Sequence, residues 1–180
     1  DHEPGVNLLP DYDDATLDRV ADHIQSHKRP GDVVVFSVHW GGNWGYEIPE
    51  EQTEFAHRLI DEAGVDIVYG HSSHHPKGIE VYNGRLILYG CGDLINDYEG
   101  ITGHEAYRGD LRLLYVADLD RGSGALVALR MLPLQTHRLR LRAAPVDDAR
   151  WLATTLERTC PSPDHRITVD RDGALVLDRT

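Results

Sequence analysis

The sequence predicts an α/β fold, and three observations predict it. Two short, nearly all-apolar runs, Val33 to Val38 and Val65 to Tyr69, read as strands. Each run ends in a polar, histidine-bearing segment. An amphipathic helical pattern lies between the two, giving the order of a parallel strand, helix, strand crossover.

Taken in order, the elements justify themselves locally. Asp13 or Asp14 can cap a first helix in which Leu17, Val20, Ala21 and Ile24 recur at helical spacing, and Pro30-Gly31 ends it. The run Val33 to Val38 is β-branched and short, which suits a strand buried on both faces, and it delivers His39 at its C-terminal end. A polar loop, His39 to Ile48, follows. Pro49 then sits where a first helical residue is favoured, and Glu50, Glu51 and Glu54 suit the positive end of the helix dipole. Phe55, Ala56, Leu59, Ile60 and Ala63 form one apolar stripe, and Gly64 is a stop. The second strand, Val65 to Tyr69, runs into Gly70-His71-Ser72-Ser73-His74-His75.

Beyond Ile79 the pattern alternates. Asn83-Gly84 between Ile79 to Tyr82 and Arg85 to Tyr89 signals a tight hairpin. After a polar loop from Gly90 to Gly100, Leu111 to Leu119 and Leu126 to Leu134 read as a second hairpin around Arg121-Gly122-Ser123-Gly124, with alternation continuing through His137, Leu139 and Leu141. A helix from about Asp147 to Arg158 and a small hairpin around Asp172-Gly173 close the chain. At 180 residues this is one domain or a piece of one. The first residue is Asp1, and whatever lies upstream is expected to be missing from this chain.

Charge narrows the function. A formal net charge of −12 argues against a nucleic-acid partner, which needs clustered Lys and Arg. It leaves phosphate chemistry open, because a bound divalent cation can hold a phosphate in acidic surroundings. No apolar run approaches the ~20 residues that span a bilayer. Cys91 and Cys160 are too few for a disulfide framework or a thiolate cluster and read as ordinary thiols. The compartment stays open between bacterial envelope and cytoplasm.

In open α/β sheets ligands sit beyond the carboxyl ends of the strands. Three such ends are His39, His71 to His75, and the acidic stretch Cys91 to Asp97, with Asp93, Asn96, Asp97 and Glu99 close together. Imidazole with carboxylate suits zinc, manganese or iron better than calcium, so the edge predicts a metal held by His39, His71 and His74. His75 either orients its loop or contacts substrate. Trp40 and Trp44 shape a substrate rim or act as packing plugs. His23 and His27, and likewise His57, His104, His137 and His165, read as solvated side chains, and Cys91 as a small buried thiol.

The motifs Ser37-Val38-His39-Trp40-Gly41, Gly70-His71-Ser72-Ser73-His74, Ile79-Glu80-Val81-Tyr82 and Leu88-Tyr89-Gly90-Cys91-Gly92-Asp93 resemble the CapA family of poly-gamma-glutamate capsule-synthesis proteins, which has a calcineurin-like metallophosphoesterase fold. The resemblance is specific from about residue 31 to 97. It implies that residues 1–180 are the C-terminal portion of one four-layer α/β/β/α sandwich whose N-terminal half, with the remaining metal ligands, lies outside this chain. By motif, His39 and His71 would bind one divalent metal ion and His74 a second, and a metal-activated water would attack phosphorus in a phosphorylated or anionic polymer. Glu80 would steady the histidine loop, and Asp93 would stand near the site. Two positions depart from the family pattern: Ser73 replaces a proline, and Gly92-Asp93-Leu94 replaces Gly-Asn-Phe. Two further readings accompany this one: a capsule-assembly or polymer-binding protein that retains the fold without turnover, and a zinc hydrolase of amide bonds.

Overall fold

The computed structural model describes residues 5–96, 101–162 and 165–179. Helix α1 spans Asp14–His27, with the Asp13 side chain accepting from Thr16 N at its start. Strand β1 (Val35–His39), helix α2 (Glu50–Asp61) and strand β2 (Ile67–His71) form the expected parallel crossover. Strands β3 (Ile79–Tyr82) and β4 (Arg85–Leu88) form the hairpin, and Asn83 and Gly84 both adopt the positive φ that its two-residue turn requires. The first sheet runs β1-β2-β4-β3, with β3 antiparallel at one edge and β1 at the other.

The second sheet is antiparallel. Strands β5 (Leu111–Leu119) and β6 (Leu126–His137) pair along most of their length, and β8 (His165–Val169) pairs with β9 (Leu175–Arg179), in the order β5-β6-β9-β8. Helix α3 is Val146–Thr159. One feature differs from expectation after His137. Arg138 and Leu139 take left-handed conformations, and the chain doubles back as β7 (Arg140–Ala143) against β6. Neither residue is a turn former, so the sequence reads as continuous alternation there.

Two cores result. On one face of the first sheet, Val38, Trp40, Val68 and Ile87 pack against Leu17 of α1 and Phe55 and Leu59 of α2. On the other face, Ile79, Leu86 and Leu88 pack against Leu113, Leu129 and Met131 of the second sheet and Leu152 and Leu156 of α3. This second core covers the β3–β4 half of that face and reaches Ile67 of β2. On the β1–β2 half, Val35 is 54% exposed and Tyr69 38%. The expectation that the first strand is buried on both faces is thereby corrected: β1 is an edge strand, and none of the described residues covers its outer face. The described residues thus build helix, sheet and sheet of an α/β fold. None of their helices is long and apolar enough to cross a membrane.

Candidate functional site

β1 and β2 run in register, so His39 and His71 are direct neighbours at the carboxyl ends of the pair. Register partners point to the same face, and the two imidazoles meet edge to face with ring centres 5.3 Å apart. His39 is exposed and His71 half-buried. Ser37 Oγ, on the same face, lies 3.3 Å from His71 Nε2. Burial, reinforced by the neighbouring His39, lowers the His71 pKa below the ordinary histidine value. That ring is therefore neutral near pH 7, the form that ligates metals.

Trp40 follows His39 and turns inward. Its Nε1 donates to Tyr89 O at 2.9 Å and its ring stacks on Tyr89. Gly70 makes this possible, because a Cβ there would stand 2.5 Å from Trp40 Nε1 and 2.6 Å from Tyr89 O. Of the two roles open to it, Trp40 fills that of buried plug and not substrate rim.

Ser72 links the two histidine groups with a φ of 137°, a conformation that favours glycine and marks local strain. Its hydroxyl donates to Gly41 O at 3.1 Å. Beyond it, His74 N donates to Asn43 O at 3.0 Å, which ties this loop to the one following β1. His74 Nδ1 lies 3.0 Å from Asp93 Oδ2. The same oxygen accepts from Asn96 Nδ2 at 2.9 Å, and Arg112 Nη1 stands 3.7 Å away. The other two acids of that predicted cluster, Asp97 and Glu99, lie outside the described residues.

His75 is fully buried behind His74, stacked against Tyr107 and Trp44 and met edge-on by Tyr46. Burial pushes its pKa down to about 4, against the opposing pull of backbone hydrogen bonds with Pro76 and Gly45. It packs within the loop and does not line the neighbouring cleft. Glu80 is placed elsewhere. Its carboxylate accepts from Tyr89 OH at 2.6 Å and lies 3.0 Å from His57 Nε2, so it braces β3 against β4 and α2. The expectations that Glu80 steadies the histidine loop and that His57 is merely solvated are both corrected, since alternation turns Glu80 to the helix side of the sheet. His57 also stacks on Tyr82, at 3.7 Å between ring centres. His23 and His27 contact each other on an exposed helix face, as expected.

A cleft of about 370 Å³ opens beside His74 and Asp93, with Trp44 and Ile101 as apolar wall and Arg108, Asp110 and Arg112 among its polar lining. Trp44 lines the cleft while also stacking on His75, and His104, expected to be solvated, stacks on it at 4.3 Å with planes 8° apart. Arg108 donates to Asp110 through Nε and Nη2 and to Asp148 of α3 through Nη1, pinning the segment before β5. Two further residues escaped the sequence reading. Arg112, 3% exposed, is a strand arginine whose alternation gives no hint that it faces Asp93. Buried Lys77 donates to Glu47 O at 3.0 Å. A second hollow, about 540 Å³, adjoins His39 between Tyr12 and Glu51.

The histidines thus form two groups, His39 with His71 and His74 with Asp93. Among the described residues, no three His, Cys, Asp or Glu side chains converge as a ready metal cage. The donor chemistry of each pair suits a borderline divalent cation. His74 also has the carboxylate partner that fixes the tautomer of ligating histidines.

The chain is 53% identical, over 96% of its length, to a probable polyglutamine synthesis accessory protein of Mycobacterium tuberculosis, and it spans 45% of that relative. It is 38% identical over 41% of its length to the PGA biosynthesis protein CapA of Bacillus subtilis, of which that match spans 19%. It is 30% identical over 47% of its length to the capsule biosynthesis protein CapA of Bacillus anthracis, of which that match spans 20%. The bacterial capsule synthesis protein family PGA_cap matches residues 1–98, which include β1, β2 and both histidine pairs, and the chain belongs to that family.

Proposed function

We propose that this chain carries half of a dinuclear-metal phosphoester hydrolase site in a capsule synthesis protein acting on a glutamate-derived polymer. The observation that carries the reading is the pairing itself. His39 and His71 stand side by side at two parallel strand ends, and His74 is backed by Asp93 at 3.0 Å in the manner of a metal-ligating histidine. Divalent ions bound there would polarise phosphoryl oxygens and lower the pKa of bound water. His39 and His71 would hold one ion and His74 the other. Asp93 would hold the His74 ring, and with Nδ1 so engaged, ligation falls to Nε2. Arg112, close to Asp93, adds positive charge at the cleft where phosphoryl oxygens would lie. The remaining ligands would come from the rest of the four-layer sandwich, in the part of the relatives' length that this chain does not span.

The test is elemental analysis of the protein at its relatives' full length, beside a variant carrying His71→Ala and His74→Ala. About two transition-metal ions per chain, largely lost in the variant and accompanied by loss of phosphoester hydrolysis, is the expected result. Protein that binds no metal would refute the reading. A second reading is favoured by the mycobacterial relative's name, an accessory protein. In that reading the fold handles capsule polymer without turnover, and metal binding without hydrolysis of any phosphoester would select it.

A further inference from the structure

We infer that the β6–β7 hairpin is a docking arm for an anionic lipid surface. It is an interaction site separate from both histidine pairs and does not rest on the hydrolase reading. The charge pattern points to it first. The chain carries 30 acidic side chains against 18 Lys and Arg, yet residues 121–146 hold no acid and five arginines, Arg121, Arg130, Arg138, Arg140 and Arg142. Three of these five fall in the run Arg138-Leu139-Arg140-Leu141-Arg142.

The fold makes that run a projecting arm. β7 pairs with β6 off the β5-β6-β9-β8 path, and residues 137–143 are all exposed. The left-handed Arg138 and Leu139 form a two-residue turn, so Leu139 stands at the apex, 64% exposed. Register puts Arg140 and Arg142 on one face with His137 and Gln135, and Leu141, 38% exposed, on the other. On that second face Leu141 continues into Leu132 and Leu134 of β6 and the exposed Leu114 and Val116 of β5, opposite the core residues Leu113 and Met131. The charge of the arm is not cancelled at its base. Asp110 and Asp148 there are matched by Arg108, and Asp147 by Arg150, while Arg142 donates to Gln135 Oε1, a neutral acceptor.

A leucine at the apex between arginines suits a bilayer interface. The apolar tip enters the boundary of headgroups and acyl chains, and the guanidiniums meet lipid phosphates, which they can grip bidentately. A soluble polyanion would use the arginines but leave Leu139 and Leu141 in water, and a symmetric contact between two copies would press like charges together. Thr136, at the foot of the turn, also lines the cleft beside His74. At ~3.3 Å per strand residue it stands about 10 Å from the apex. Docking thus holds that cleft at the lipid surface.

The experiment is co-sedimentation of the protein at its relatives' full length with vesicles of phosphatidylcholine alone and of an equal mixture with phosphatidylglycerol. The anionic vesicles are expected to bind about tenfold or more tighter, with the preference shrinking in high salt. Arg138→Gln with Arg140→Gln should weaken that binding by about tenfold or more. Leu139→Asp, a residue that tolerates the left-handed turn, should weaken it severalfold, and Leu139→Trp should strengthen it. All three positions are exposed, and an unchanged urea midpoint shows that each variant is folded. Equal binding to both vesicle types, no binding to either, or parent-like binding by either weakening variant overturns the inference. Capture of soluble polyaspartate without binding to anionic vesicles also overturns it and assigns the arm to a polymer. A dimer broken by Leu139→Asp in protein that ignores vesicles overturns it in favour of a second copy.

Discussion

The pairs His39–His71 and His74–Asp93 are joined through two residues, Ser72 and Ser73, yet their surroundings are opposite. The first pair ends an open sheet face, beside the exposed side chains of Val35, Ser37 and Tyr69. The second is walled in. His75 and Trp44 stack behind it, Tyr46 and Tyr107 close the flank, and the Arg108 clamp holds the covering segment to α3. Both lie at the end of one sheet, so the difference is a difference in cover. The second sheet and α3 cover the β3–β4 half of the face and reach Ile67 of β2, while nothing among the described residues covers the outer face of β1. Apolar strand residues are seldom left bare beside a functional edge. The walled pair thus has its surroundings from the described residues, while the open pair lacks such cover among them.

The largest effect that could break this comparison is on metal and turnover. If the proposed site is present, then at the relatives' full length His39→Ala with His71→Ala should remove about one metal ion, and His74→Ala about one other, each lowering phosphoester hydrolysis by about a hundredfold or more. Elemental analysis with turnover on the same samples decides it. Loss of all metal from either variant alone would make the two pairs one site. Next in size is the cost of cover itself. Phe55→Ala, in the helix-covered core, should destabilise by about 3–5 kcal/mol at either chain length. Val35→Ser should cost within about 0.5 kcal/mol in the 180-residue chain, and about 1 kcal/mol or more in the full-length protein. Urea unfolding of both lengths measures this, and an equally small cost in both would mean that the face stays open.

Asp93 sharpens the contrast from the walled side. Asp93→Asn keeps the shape but cannot hold the His74 Nδ1–H as a charged acceptor, so metal affinity at that histidine should fall about 10- to 100-fold while the His39–His71 ion is unaffected. Competition with a chelating dye reads both affinities. Uniform weakening of both ions would show that the two pairs are coupled through the bridging solvent of one centre.

The parts of this arrangement that local chemistry dictates were legible in the sequence. Asn83-Gly84 demands its turn, the Phe55 to Ala63 stripe demands a helix face, and histidines placed directly after strands fall at the sheet's carboxyl edge. What long-range packing dictates was not legible. An apolar run such as Val33 to Val38 reads the same whether a neighbour covers one face or two, so the bare side of β1 could not be foreseen. His104 reaches Trp44 across some sixty residues of sequence, and a lone histidine in a polar loop carries no sign of such a partner. Glu80 differs from expectation for a related reason: its motif neighbours the histidine loop in sequence, while strand alternation turns it toward Tyr89 and His57. The reversal at Arg138–Leu139 shows that a turn can be imposed by pairing of β6 with β7 without any turn-forming residue.

The smallest expected effect tests whether the walled side is held by charge. Burial alone would raise the Asp110 carboxyl, but hydrogen bonds from Arg108 and Gln135 and the Arg108 charge outweigh it and hold the pKa below the usual carboxylate value. A carboxyl depressed in the folded state contributes stability that is fully present above its unfolded pKa of about 3.9 and is lost as pH falls through the lower folded value. Because the Asp110 side chain is 36% exposed, solvent screens the pair, and Asp110→Asn should cost less than about 1 kcal/mol near pH 7. The gap between parent and variant, followed by urea midpoints from pH 7 downward, should close once the pH drops below the ordinary carboxylate range. A gap that persists in acid would mean that Asp110 holds the segment through hydrogen-bond geometry that asparagine cannot reproduce, and not through its charge.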